Sequence, residues 1–192
     1  MHTLEQARAE MLEVIAPLPA ETVPLAQAAS RVLSAEVRAA VDLPRFDNSA
    51  MDGYAVRSTD AGKGAKLRCI GEVPAGSSFK NELGAGECVR IFTGSPMPEG
   101  ANAVVMQEDT LAAGDAIEIT DGVKPFEHVR LRGEDVKADE VIGRTGERLH
   151  AGRLQLLGSA GVAEMSVHRQ PIVAVLATGD ELREPGEDLG AG

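Results

Sequence analysis

A chain of 192 residues with 43% hydrophobic and 26% charged residues can bury the core of one ordinary domain or two small ones, which excludes a largely disordered or collagen-like polymer. The formal net charge of −11 argues against nonspecific binding to nucleic acid or to anionic membranes, because phosphates are repelled before a local contact forms. Aromatics make up only 3%, with Tyr54 the one tyrosine and no Trp, so the core must be built from Val, Leu, Ile and Ala.

Thr3 and Gln6 have the spacing of a capping box, and Leu4, Ala7, Met11, Val14 and Ile15 recur on one face, which predicts an amphipathic opening helix ended by Pro17. Pro24 suits a first helical turn, and Leu25, Ala28, Ala29, Val32 and Leu33 predict a second short helix. From Val41 onward the texture changes. Gly, Pro and Asp punctuate runs of β-formers at 67–73, 88–92, 103–107, 116–120 and 129–131, predicting a compact, mostly antiparallel β-domain. Residues 140–149 have β-like stretches, 151–159 suit a short helix closed by Gly158 and Gly161, and 163–168 read as a strand. That helix matches the opening ones in kind, so the first and third segments are expected to pack together with the β-domain inserted between them.

Pro171 opens the apolar run Ile172-Val173-Ala174-Val175-Leu176-Ala177, of the kind buried on both faces of a parallel sheet. A parallel sheet needs a crossover helix and partner strands, which residues 178–192 do not supply, so the chain reads as cut short near the start of a third domain. The expected fold class is α+β, largely β. A discontinuous helical and β linker domain covers 1–44 and 138–168, a small β-domain covers 45–137, and 169–192 begin an α/β domain.

Cys69 and Cys88 are too few for a disulfide framework or a zinc knuckle and read as buried, reduced thiols. The first ten residues carry acidic groups where a secretory signal needs an apolar run, and no stretch approaches the roughly 18 apolar residues of a membrane span. These features point to the cytoplasm. His2, His128, His150 and His168 are scattered singly, as surface or packing residues.

The stretch from Leu43 to Arg57 packs polar turn formers between two short hydrophobic anchors. Asp47 and Asn48 can bond their own backbone, Gly53 permits positive φ, and Asp52 is then free to accept a proton or contact a metal. By chemistry alone an Asx-turn between strands is the commoner reading. A calcium loop is excluded, because Met51 stands where an oxygen ligand is needed and Ser58 where a Glu is needed. Thr93-Gly94-Ser95 can form either a small anion-binding nest or a tight turn capped by a threonine. Arg130, Arg132, Glu134 and Asp135 suit a solvated charge cluster. Asp180 and Glu181 follow the apolar run directly, where open α/β sheets bind ligands, or else form an acidic helix-start turn.

The run Phe46-Asp47-Asn48-Ser49-Ala50-Met51-Asp52-Gly53-Tyr54-Ala55 resembles the signature of the molybdopterin molybdenumtransferase family, that of MoeA and the gephyrin E domain. Further blocks follow in the family's order: Gly71-Glu72-Val73-Pro74-Ala75-Gly76, Arg90-Ile91-Phe92-Thr93-Gly94-Ser95-Pro96, Arg132-Gly133-Glu134-Asp135 and Ala177-Thr178-Gly179-Asp180-Glu181-Leu182. The resemblance spans essentially the whole chain, as the N-terminal portion of such a protein. It implies molybdenum cofactor biosynthesis: molybdate is inserted into adenylylated molybdopterin, the phosphate anhydride is cleaved and AMP leaves, with Mg2+ assisting. On the same ground Asp52 and Asp135 are expected to orient metal or water, Thr93 to donate a hydrogen bond, and Glu181 to act from across the cleft. Ser49, Gly94, Ser95 and Asp180 are expected substrate contacts, and no residue is assigned as a metal ligand. The third domain would be the pterin-binding one. The family implies a homodimer whose site is shared between the β-domain of one subunit and the pterin-binding domain of the other, fed by a molybdopterin adenylyltransferase. A chain ending at Gly192 is then expected to be inactive alone.

Dinucleotide, Walker, nucleophile-elbow and zincin motifs are all missing from the sequence. The rival expectation is a noncatalytic dimerisation or scaffolding β-module.

Overall fold

A computed structural model describes residues 2–179 and 181–188. The elements in chain order are α1 (Leu4–Val14), β1 (Ala20–Pro24), β2 (Val37–Arg38), β3 (Asn48–Ser49), β4 (Gly53–Val56), β5 (Lys66–Val73), β6 (Glu87–Ile91) and β7 (Ala103–Met106), then β8 (Thr110–Ala113), β9 (Ala116–Ile119), β10 (Val129–Arg130), β11 (Val141–Gly143), α2 (Ala151–Ser159) and β12 (Glu164–His168). The chain is therefore mostly β with few helices.

The capping box forms as its spacing predicts, with Thr3 accepting from the Gln6 amide at 3.2 Å and Gln6 from the Thr3 amide at 3.0 Å. No residue of α1 is buried, so its apolar stripe finds no cover among the described residues. The expected second helix does not form. Residues 20–24 pair instead as β1 with β12, from Ala20↔His168 to Pro24↔Glu164, a short 3-10 turn follows at Leu25–Gln27, and Ser30 turns the chain at φ 63°. Val32 and Leu33 then bridge to Arg148 and Val167, so the same apolar spacing is consumed by cross-strand packing rather than by a helical face.

Val23, Ala28, Leu33 and Val37 from the first quarter share one core with Ile142, Leu149, Leu157, Met165 and Val167. The antiparallel β2–β11 pair closes this layer, and His150 caps α2, its Nδ1 facing the Arg153 amide at 3.4 Å. Between these two halves the chain builds a six-stranded sheet in the order β7-β4-β6-β5-β9-β8. Its pairs are antiparallel except β5 with β6, which run parallel, so the sheet is mostly antiparallel as the sequence predicts. Alternation with period two divides the β4 and β7 residues between two cores. Val56 and Val105 pack with Leu67, Cys88, Ile117 and Ile119 on one face; Ala55 and Val104 pack with Ile91 on the other.

Cys69 and Cys88 face each other across β5 and β6 as free thiols, and burial, then the neighbouring Cys69, pushes the Cys88 thiol up to about 12. The apolar run at 172–177 forms no strand. It is irregular and solvent-facing, Ile172 being 96% exposed, because nothing among the described residues offers its backbone a ladder to join. Asp180 lies outside the described residues.

Candidate functional site

Two loops are zipped together at one end of the neighbouring strands β4 and β6 of the six-stranded sheet. The first runs from Asp47 into β4 and the second leaves β6 at Phe92. Ser49 donates its amide to Ser95 O at 3.0 Å, Gly94 donates to Ser49 O at 2.8 Å, and Met97 donates to Asp47 O at 2.9 Å. Ser49 is fully buried, its hydroxyl donating to Met51 O at 2.5 Å, which makes it a support of the loop rather than a surface for a ligand. Ser95 is likewise 0% exposed, and its buried Oγ has no hydrogen-bond partner among the described residues.

Asp52 crosses between these loops. Its Oδ1 accepts the Thr93 amide at 2.8 Å and the Thr93 hydroxyl at 2.9 Å, while among the described residues no hydrogen bond reaches Oδ2. The open nest expected at Thr93-Gly94-Ser95 is therefore already filled. Its three amides go to Asp52 Oδ1, Ser49 O and Phe92 O, so the anion in the turn is the protein's own carboxylate. Hydrogen bonds from the Thr93 amide and then its hydroxyl, with the Arg90 charge adding to them, hold the Asp52 carboxyl below its ordinary 3.8. The residue presents a fixed, ionised oxygen to solvent.

Gly53 is needed here for a reason other than positive φ. It runs into β4 with extended backbone, where a Cβ would stand 2.0 Å from Val105 O on the neighbouring strand. Only glycine lets β7 come this close.

Strand β10 pairs with β3, Arg130 opposite Asn48, and this brings the turn at 131–135 beside the first loop. Asp47 Oδ1 accepts the Arg132 amide at 2.7 Å, and the Arg132 side chain reaches Asp42 Oδ2 at 2.5 Å. Asp135 does not join Asp52. Both its oxygens accept Arg130 Nη2, at 2.7 and 2.6 Å, and the residue lines a groove with Leu43, Pro44, Gln155 and Ser159 beneath α2. The groove has a volume of about 400 Å³. Glu181 is exposed in an irregular stretch where Leu182 turns back to Gly179 at 3.1 Å, and no hydrogen bond or ion pair among the described residues draws it toward Thr93.

Sequence reasoning missed Arg90 and Gln107. Arg90 sits opposite Tyr54 across β6 and β4, its guanidinium carbon 5.1 Å from the ring centres of both Tyr54 and Phe92. It donates to Gly53 O at 3.3 Å and to Gln107 Oε1 at 2.5 Å. Strand register alone reveals this neighbourhood, since 36 intervening positions separate Gly53 from Arg90 in the sequence.

Asp42 and Glu134 share the depressed state of Asp52. The Ala138 amide and then Arg132 lower Asp42 from 3.8, and Arg130 and then the Leu131 amide lower Glu134 from 4.5. A carboxyl lowered in the folded state contributes stability that is present above its unfolded value and lost as pH falls through the folded one. The thermal midpoint is thus expected to stay level from neutrality to about pH 5 and to fall below that. Asp42→Asn should flatten the fall, and a profile identical to that of the unaltered chain would remove Asp42 from its cause.

Among the described residues no three His, Cys, Asp or Glu side chains converge on a point, and no helix is long and apolar enough to cross a membrane. A description of the MoeA N-terminal region, domains I and II, matches residues 2–161. A molybdopterin molybdenumtransferase of Haemophilus influenzae is 43% identical over 195 residues, spanning 100% of this chain and 48% of the relative. A second, from Staphylococcus aureus, is 38% identical over 178 residues, covering 90% and 42%. The crystal structure of the molybdopterin biosynthesis moeA protein from Pyrococcus horikoshii superposes with a TM-score of 0.80 at 38% identity, over 89% of this chain and 47% of that one. The chain spans about half the length of the curated relatives it matches.

Proposed function

The chain belongs to the MoeA N-terminal family, and from that premise we propose that it forms one wall of a cytoplasmic transferase site in which molybdate is inserted into adenylylated molybdopterin. The observation that carries this reading is the Asp52–Thr93 pair, whose second carboxylate oxygen is left open at a loop edge. In the overall change water adds across the phosphate anhydride, AMP leaves with its own phosphate while molybdopterin keeps the other, and the dithiolene sulfurs replace oxygens of molybdate, which leave as water. Asp52 and Thr93 hold a fixed negative oxygen where the anhydride is handled, and Asp135, tied to Arg130, stands on the neighbouring groove as a second carboxylate. Such preorganised charge costs no reorganisation when the reaction occurs.

Mg2+ fits this donor set in one specific way. A single open carboxylate oxygen matches an ion that takes one or two carboxylates and completes its shell with water and substrate phosphates. Asp52 would hold it, and the ion would supply charge neutralisation at the anhydride. The opposite wall, including Glu181 and the pterin-binding domain, is supplied by a second copy in a homodimer, with a molybdopterin adenylyltransferase delivering the substrate.

The test uses two proteins: the 192-residue chain alone and the complete transferase, meaning this chain continued by the second half that its relatives carry. Given adenylylated molybdopterin, molybdate and Mg2+, the complete protein is expected to release AMP and the chain alone is not. Turnover by the chain alone would refute the shared site, and no turnover by the complete protein would refute the transferase reading.

A further inference from the structure

We propose that Arg90 is a positioning residue for the Asp52–Thr93 pair, acting through Gln107 and the Asp52–Gly53 main chain. The assignment rests on the reading of that pair as part of the reacting site. Arg90 lies where three strands meet. It belongs to β6, donates through one nitrogen to Gly53 O at the start of β4, and through another to the Gln107 side chain just past the end of β7. The main-chain N–H of Gln107 in turn donates to Asp52 O at 3.1 Å. The peptide that carries Asp52 is thus gripped at both carbonyls, directly at Gly53 and through Gln107 at Asp52.

Three further features separate this arginine from an ordinary surface cation. Its guanidinium stacks over Tyr54 and Phe92, which fixes the plane of the fork. It makes no ion pair among the described residues, so its charge is not cancelled locally by a bonded carboxylate. Phe92, one of its two stacking partners, directly precedes Thr93, so a single side chain restrains the strand leading to the donor as well as the peptide leading to the acceptor. Lysine cannot replace these roles together, because a point charge has neither the fork nor the stacking plane.

Arg90→Met keeps a long apolar stem and removes the donors and the charge. Hydrogen exchange of the Thr93 amide, followed by NMR in the 192-residue chain, reads the bond to Asp52 directly. Exchange at Thr93 is expected to accelerate about tenfold or more, as for loss of one charge-assisted hydrogen bond, while Val89 and Val104 in the sheet stay protected. Gln107→Leu removes only the Arg90 bond to the Gln107 side chain, leaving the main-chain bond to Asp52 O, and should give a smaller acceleration in the same direction, which keeps the test available if Arg90→Met does not fold. Arg90→Lys is expected to leave most of the acceleration in place. In the complete transferase, Arg90→Met should lower kcat with KM for molybdate unchanged. Unaltered Thr93 exchange in both variants, full rescue by lysine, or a raised KM with kcat intact would each overturn the assignment. Should the unaltered complete protein show no turnover, the transferase reading fails, yet the exchange measurement still decides the role of Arg90.

Discussion

Asp52→Asn in the complete transferase is expected to slow AMP release by roughly 10²–10³-fold, the usual effect of deleting one fixed electrostatic group at a reacting centre. The substitution is chosen because it changes charge more than shape. Asparagine can still place an oxygen where Oδ1 accepts the Thr93 amide and hydroxyl, at 2.8 and 2.9 Å in the unaltered chain, so the two loops should remain zipped. The outward oxygen becomes an amide or loses its charge, and a cation or developing positive group loses its partner. Thermal stability near neutrality should change little, since the carboxyl is exposed and its bonds to Thr93 are largely kept. Stability and rate therefore separate in this variant. An initial rate equal to that of the unaltered protein would remove Asp52 from the chemistry, whatever its place in the loop.

Gly53→Ala carries the largest expected effect on folding, about 3 kcal/mol, at the upper end for one inserted methyl group. The added Cβ would stand 2.0 Å from Val105 O and 3.1 Å from the Met106 Cα. These are backbone atoms of β7, which cannot rotate aside as a side chain can. Relief requires β4 and β7 to part along a register that runs from Gly53↔Met106 to Val56↔Ala103, and with it the burial of Val104 and Val105 on both faces. Gly62→Ala is the matched control, because no atom lies within 4 Å of the Cβ it would add and its backbone is not in the left-handed region. Urea unfolding of the two variants should show a much lower midpoint for Gly53→Ala alone. Equal midpoints would mean that the close approach of the strands can be relieved at little cost.

The same glycine shows how far residue types carry an argument. A turn of Asn, Ser, Asp and Gly reads correctly as a loop with a free carboxylate, but the sequence assigns Gly53 to the wrong cause, a positive φ, when the cause is a neighbouring strand. The stripe at 25–33 misleads in a similar way. Spacing of apolar residues cannot distinguish a helical face from a strand, a turn and two bridges when the partners, Arg148 and Val167, lie more than a hundred residues on.

What the sequence determined by itself are the features fixed by local chemistry: the capping box at Thr3, most of the strands in the central sheet, the helix at Ala151–Ser159, and the signature that identifies the family. What only the tertiary structure decided is which groups face each other. Asp52 meets Thr93, Arg90 meets Tyr54 and Gln107, and Asp135 turns to Arg130 and the α2 groove, because long-range strand register sets those pairings. Register depends on which faces must be buried together, and that is a property of the assembled sheet rather than of any one segment.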